Sequence, residues 1–143
     1  MRRRAFVLLN RSVNRVVVRL GLRRFRGGEL LTLTTTGRRT GRRRTVPLLT
    51  VRDGDAWVVA ASNGGADWEP GWWLNLRTGG AGVVEVDGRR TDVRGEELVG
   101  PERDEAWRRL NEQLPAYDDY QAKVRRTIAV VRLTPVGARR AHR

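Results

Sequence analysis

The chain contains no cysteine, which removes disulfides, thiolate metal sites and cysteine nucleophiles at once. Histidine is nearly as scarce: His142 stands alone in a basic tail, so neither a Ser-His-Asp triad nor a histidine metal site is expected. Redox or hydride chemistry would have to come from a bound organic cofactor. No apolar run reaches the about eighteen residues that a membrane-spanning helix needs. The N-terminus lacks the unbroken apolar core and small-residue cleavage site of a secretory signal, and a cytoplasmic protein is the expectation. Lysine is almost missing too, with arginine in its place; Lys123 is the only one.

What is present is a chain of 143 residues, 39% hydrophobic, enough for one globular domain with a modest core. Its net charge of +13 is unevenly placed. Residues 1–44 carry fourteen arginines against one acid, Glu29, whereas residues 45–143 balance fifteen basic against fifteen acidic side chains. A local excess points to an anion site or a charged surface. Uniform basicity would have suggested nonspecific nucleic-acid binding, and no nucleic-acid partner is expected.

Residues 4–22 fit an amphipathic helix. Phe6, Leu9, Val13, Val16, Val17 and Leu20 share one face, and Arg4, Arg11, Arg15 and Arg19 fall opposite. Such a helix either packs on the domain or lies on an anionic membrane surface as a peripheral contact. Strands are predicted at 30–36, 44–51, 56–61, 82–87, 90–95 and 127–133. Asp53-Gly54 and Asp87-Gly88 signal hairpin turns. A short helix at 70–77 has Pro70 in its first turn. A longer one at 101–113 has acids early and arginines late, with Trp107, Leu110 and Leu114 as its inner stripe. Six hairpin-linked strands with few helices predict an antiparallel barrel, mainly β with flanking helices.

Four segments can carry chemistry. In Thr36–Thr45 five arginines (Arg38, Arg39, Arg42, Arg43, Arg44) crowd a turn with Gly37 and Gly41. The glycines let the backbone curl, and guanidinium forks match phosphate or carboxylate oxygens; the same charges could also fan into water. It is not a Walker A loop, whose glycine spacing and Lys-Ser/Thr end are absent. Ala60-Ala61-Ser62-Asn63-Gly64-Gly65 has the small side chains that let a flat ligand approach a backbone, or is an ordinary loop. Trp68 and Gly71-Trp72-Trp73-Leu74-Asn75-Leu76 hold three tryptophans, some of which must be core. Tyr117 and Tyr120, the only tyrosines, would point the same way at i, i+3 on a helix, either covering a ligand or serving structure.

Taken together, TTTGRRTGRRRTVPL, VRDGD, VAASNGGA, GWWLNL, YDDYQ and IAVVRLTP resemble, in order and spacing over about residues 28–135, the deazaflavin-dependent nitroreductases. These are small split β-barrel oxidoreductases, similar to FMN-binding barrels, that use coenzyme F420. The resemblance implies a deazaflavin-binding barrel at 28–135, and with the chain pattern this divides the sequence into a basic amphipathic helical segment at 1–27, the barrel, and a basic tail at 136–143. It implies that Arg38, Arg39, Thr40 and Arg44 hold the phosphodiester and acidic tail of F420. Thr45, Val46, Pro47, Leu48 and Leu49 would line the ring. Ala60, Ala61, Ser62, Asn63, Gly71, Trp72, Trp73, Leu74 and Asn75 would wall it, with Tyr117 over it. Ser62, Tyr117 and Tyr120 match the residues placed near the substrate.

Three positions depart from the family pattern. Asn63 stands where some members have lysine, and Leu49 and Leu114 stand where the nitroimidazole-reducing type has tyrosine, making the acceptor pocket less polar. The implied activity is hydride transfer from reduced F420 to a quinone-like or other electron-poor small-molecule acceptor, nitro compounds among them. A non-catalytic F420 or flavin carrier is the alternative, and FMN is the rival cofactor.

Overall fold

The computed structural model describes residues 24–25, 28–79 and 81–137. The helix predicted at 4–22 and most of the basic tail lie outside them. The described strands are β1 (Arg24–Phe25), β2 (Gly28–Thr36), β3 (Arg43–Asp53), β4 (Ala56–Ala60), β5 (Ala81–Val86), β6 (Arg89–Glu97) and β7 (Val130–Pro135). The helices are α1 (Gly71–Gly79), α2 (Gly100–Gln113) and α3 (Ala116–Lys123), with a single 3-10 turn at Asn63–Gly65. All pairings are antiparallel, in the order β1-β2-β3-β4-β7-β6-β5, and β5 pairs back onto β2 to close a six-stranded barrel. Closure leaves β2 to β7 without a free edge. Among the described residues no helix is long and apolar enough to cross a membrane.

Strand alternation sorts the apolar residues into two cores. Trp57 and Val59 of β4, with Val131 and Leu133 of β7, face the lumen, where Leu31, Leu33, Val84 and Val93 meet them. Val58 and Ala60 of β4 and Val130 of β7 face outward, under Ala106 and Leu110 of α2, Tyr117 of α3 and Val124 just after it. Every residue of β4 is buried. Helix α1 seals the lumen with Trp72, Trp73 and Leu76. A side chain at Gly82 or Gly95 would meet Leu76 atoms at 3.2 or 3.0 Å, so both strands need glycine where the helix crosses them.

Several boundaries differ from the sequence expectation for identifiable reasons. Pro70 precedes α1 and accepts, through its carbonyl, the N–H groups of Trp73 and Leu74. The last strand begins at Val130 because Gln121 Oε1 takes the Ile128 N–H and Arg103 donates to the Ile128 carbonyl. Asp87 (φ 54°) and Gly88 (φ 75°) occupy their turn as predicted. In the other hairpin Asp53 pairs with Ala56, so the loop is Gly54–Asp55 and only glycine adopts positive φ. On α2 the buried residues are Ala106 and Leu110. Trp107 stays at the rim, where its indole N–H donates to Asp118, and Leu114 has left the helix in extended backbone (φ −141°).

On the outer face Arg132 gathers Asp53, Glu96 and Glu102 at 2.9, 3.0 and 2.6 Å, joining the β3–β4 hairpin, β6 and α2. Leu76 is fully buried, so Leu76→Ala should cost about 2–5 kcal/mol. A fall in the urea midpoint at constant slope would confirm it; an unchanged midpoint would show that α1 does not seal the barrel.

Candidate functional site

The β2–β3 connection is a stiff, positively charged turn. Gly37 N–H donates to the Arg42 carbonyl at 2.7 Å, Gly41 N–H to the Gly37 carbonyl at 2.8 Å, and Arg42 N–H to Thr40 Oγ1 at 3.2 Å. A Cβ at Gly37 would lie 2.8 Å from Thr40 Oγ1, and Gly41 adopts φ +70°, so both glycines are required. Asn75 of α1 supports the turn. Its Oδ1 accepts both the backbone N–H and the Nη1 of Arg38, each at 3.1 Å, and its Nδ2 donates to Thr35 Oγ1 at 3.0 Å. Arg39, Arg42, Arg43 and Arg44 are exposed, and among the described residues none has a carboxylate partner. Like charges so close repel, and an anion relieves that repulsion.

Beside the turn opens a cavity of about 640 Å³, well within the size range of small-molecule sites. Arg38, Arg39, Thr40 and Arg44 form its basic rim. Val46, Pro47, Leu48 and Leu49 of β3 supply one wall. Ala60, Ser62 and Asn63 supply a second, and Gly71, Trp72 and Asn75 a third. Tyr117 and Tyr120 of α3 stand over it. The structure therefore gathers most of the sequence candidates around one opening.

Four candidates do not line it, and strand or helix phase explains each. Thr45 turns its hydroxyl to Thr34, 2.7 Å away. Ala61 is fully buried in the lumen. Trp73 points into the same core, with Arg77 above its ring. Leu74, one position on from Trp73, does not line the cavity either, and its carbonyl accepts Thr78 Oγ1. Gly37, Gly64 and Leu114, each in a segment or position the sequence pointed to, line the cavity as well, and so do Leu30 and Pro70, which the sequence did not place there. Leu30 follows from β2 alternation; Pro70 becomes visible only once α1 is placed.

The loop after β4 is held from outside. Arg126 donates to the carbonyls of Ala61 (3.0 Å), Ser62 (3.1 Å) and Ala66 (3.1 Å). Burial, the larger effect, lowers the affinity of this guanidinium for its proton, while Glu69 and Asp67 oppose that shift. Asn63 sits at φ 49° and spends its amide on the Trp68 carbonyl, so it closes its own loop. Gly65 (φ +85°) makes room for the Tyr120 ring, which a Cβ would meet at 2.9 Å. Neither Arg126 nor Gln121 carries a sequence signal, since both act on distant backbone.

Helix α3 has no cap from its own N-terminal side chains. Asn111 of α2 accepts the Asp118 N–H at 2.9 Å instead. Tyr117 packs against Tyr120 and Trp107 with ring centroids 6.2 and 6.0 Å away. Burial first, and then the neighbouring Tyr120, push the Tyr117 phenol well above its ordinary range, so it is a donor throughout the physiological range. Ser62, Trp72 and Tyr117 line the cavity, and among the described residues their polar side-chain atoms make no hydrogen bond, which leaves them free to meet a ligand. Among the described residues the donors buried without a partner are instead the indole N–H groups of Trp57 and Trp73, in the lumen core. The three cavity donors beside a cationic rim fit a flat polar ligand with an anionic extension, and the donor set therefore fits F420.

The model of a family described as F420H(2)-dependent quinone reductase matches residues 4–135. A curated F420H(2)-dependent quinone reductase of Mycobacterium tuberculosis is 37% identical over 107 residues, 73% of this chain and 72% of that protein. A solved F420-H2 dependent reductase, FDR-A, superposes with TM-score 0.67 at 32% identity, covering 73% of this chain and 92% of that one. A second solved chain, described as a domain-swapped dimer, has the same TM-score and identity and is covered to 78%.

The raised Tyr117 affinity for its proton has a sign in stability. The unfolded phenol ionises near pH 10 while the folded one does not, so the stabilisation is full below that value and is lost as pH rises through and beyond it. Stability should therefore fall above about pH 10, and Tyr117→Phe should flatten that fall in alkaline urea titrations. An unaltered slope would mean that the phenol is not held in its protonated form.

Proposed function

Because the chain belongs to the F420H(2)-dependent quinone reductase family, we propose that it reduces a flat, quinone-like acceptor with reduced F420. The observation that carries this reading is an arginine rim that has no carboxylate partner among the described residues and opens onto the same cavity as the Ser62, Trp72 and Tyr117 donors. Arg39 and Arg44, with Arg38 and Thr40, hold the phosphodiester and acidic tail through charge-assisted hydrogen bonds. Val46 to Leu49, Ala60, Ser62, Asn63, Gly71 and Trp72 wall the ring, and Asn75 keeps the arginine turn in place.

When bound in its reduced form, the deazaflavin supplies the hydride, and a quinone also needs one proton to become the hydroquinone. Tyr117 keeps its proton and donates a hydrogen bond to the acceptor oxygen. Ser62 supplies a second donor, since its hydroxyl has no other partner among the described residues. Tyr120, half-buried at the cavity, carries a proton in from water. Orientation and fixed dipoles are the protein's share of such a reaction. Leu49 and Leu114 offer an acceptor only apolar surface, which suits a quinone ring better than a nitro group seeking hydrogen bonds.

Purified protein should quench F420 fluorescence far more strongly than that of FMN, and should oxidise reduced F420 with menadione. Binding without oxidation would make it a carrier. Arg39→Ala with Arg44→Ala should weaken F420 affinity at least about tenfold, since hydrogen bonds to charged groups contribute about 1.5–3 kcal/mol each. Undiminished affinity would place the anion elsewhere.

A further inference from the structure

We propose that Arg126, with Gln121, is a positioning residue that fixes the acceptor slot between the Ser62 loop and the tyrosine helix; this rests on the function proposed above. The guanidinium reaches three main-chain carbonyls, those of Ala61, Ser62 and Ala66, spanning both ends of the loop that carries Ser62 and Asn63. Its own backbone serves the other side of the slot. Gln121 Nε2 donates to the Arg126 carbonyl and Gln121 Oε1 accepts the Ile128 N–H, both at 2.8 Å. Gln121 follows Tyr120 directly and lies one helical turn from Tyr117 on α3. One segment, 126–128, therefore holds the Ser62 loop with a side chain and the tyrosine helix with its backbone.

Carbonyl ligation favours this role over that of an ordinary ion pair. Among the described residues the Arg126 guanidinium has no carboxylate within salt-bridge distance, so its bonds fix backbone position. The loop itself has few bonds of its own: the Gly65 N–H to the Ser62 carbonyl, the Ala66 N–H to the Asn63 carbonyl and the Asn63 amide to the Trp68 carbonyl. The basic rim is built separately on Asn75, so losing the Arg126 clamp leaves the anion grip intact.

The test uses the full chain and two readouts. In ligand-free protein, Arg126→Ala should speed amide exchange at Gly65 and Ala66 at least about tenfold. With reduced F420 and menadione, it should lower kcat by about 10- to 100-fold, as misplaced reacting groups do, while F420 affinity, held mainly by the separately built arginine rim, falls much less than kcat. Arg126→Lys, which keeps the charge but cannot span three carbonyls, should fall between, and Gln121→Ala should lower kcat in the same direction. Arg126→Lys decides the matter if Arg126→Ala does not fold. Unaltered exchange and kcat in Arg126→Lys, or coenzyme affinity falling as far as kcat, would overturn the role. An unsubstituted protein that fails to oxidise reduced F420 would instead overturn the function, leaving the exchange result to judge the clamp.

Discussion

A single buried amide holds the arrangement together. Asn75 uses its oxygen on the backbone and side chain of Arg38 and its nitrogen on Thr35, joining α1, β2 and the arginine turn. Without that brace the turn keeps only its own bonds and the β2–β3 ladder against the repulsion of Arg38, Arg39, Arg42, Arg43 and Arg44. Because Asn75 is carried on the helix whose Trp72, Trp73 and Leu76 fill the lumen, the anion site takes its rigidity from the barrel core. A polar contact buried among apolar neighbours is costly to break, which suits it to fixing a charged turn.

The division of labour follows from what the chain does not have. With no cysteine and one histidine in the chain, and no carboxylate among the residues lining the cavity, the proton-bearing groups there are phenols, hydroxyls and nitrogen donors. The two tyrosines differ in environment although they sit one helical turn apart: Tyr117 is sealed between Trp107 and Tyr120, and Tyr120 rests on Gly65 at the half-exposed edge. Different environments let two like groups serve different ends.

The barrel was legible in the sequence wherever local chemistry set it. Six alternating runs, the Asp87-Gly88 turn and the acid-to-base order of α2 each carry their own signal. The arginine turn was legible as charge, and Tyr117 with Tyr120 as spacing. What could not be read was phase. Ala61, Trp73 and Leu74 belong to the right segments but point into the core or away from the cavity, and Thr45 turns to its cross-strand partner. Long-range side-chain-to-backbone bonds were equally silent, because in a chain so rich in arginine nothing local separates Arg126 or Arg103 from a solvated residue. The start of β7 was misplaced for the same reason, since Gln121 and Arg103 claim the Ile128 backbone.

Strand β4 is covered on both faces, serving the lumen through Trp57 and Val59 and the outer core through Val58 and Ala60. Each of its side chains belongs to one of the two packed cores, so a change of volume there is felt by its neighbours. The cavity offers more latitude where its lining is only half-buried, at Leu49, at Leu114 and along the solvent side of α3. Relatives that inherit the same hydride donor can thus diverge in what they reduce by trading side chains on a short, remotely capped helix while the barrel stays constant.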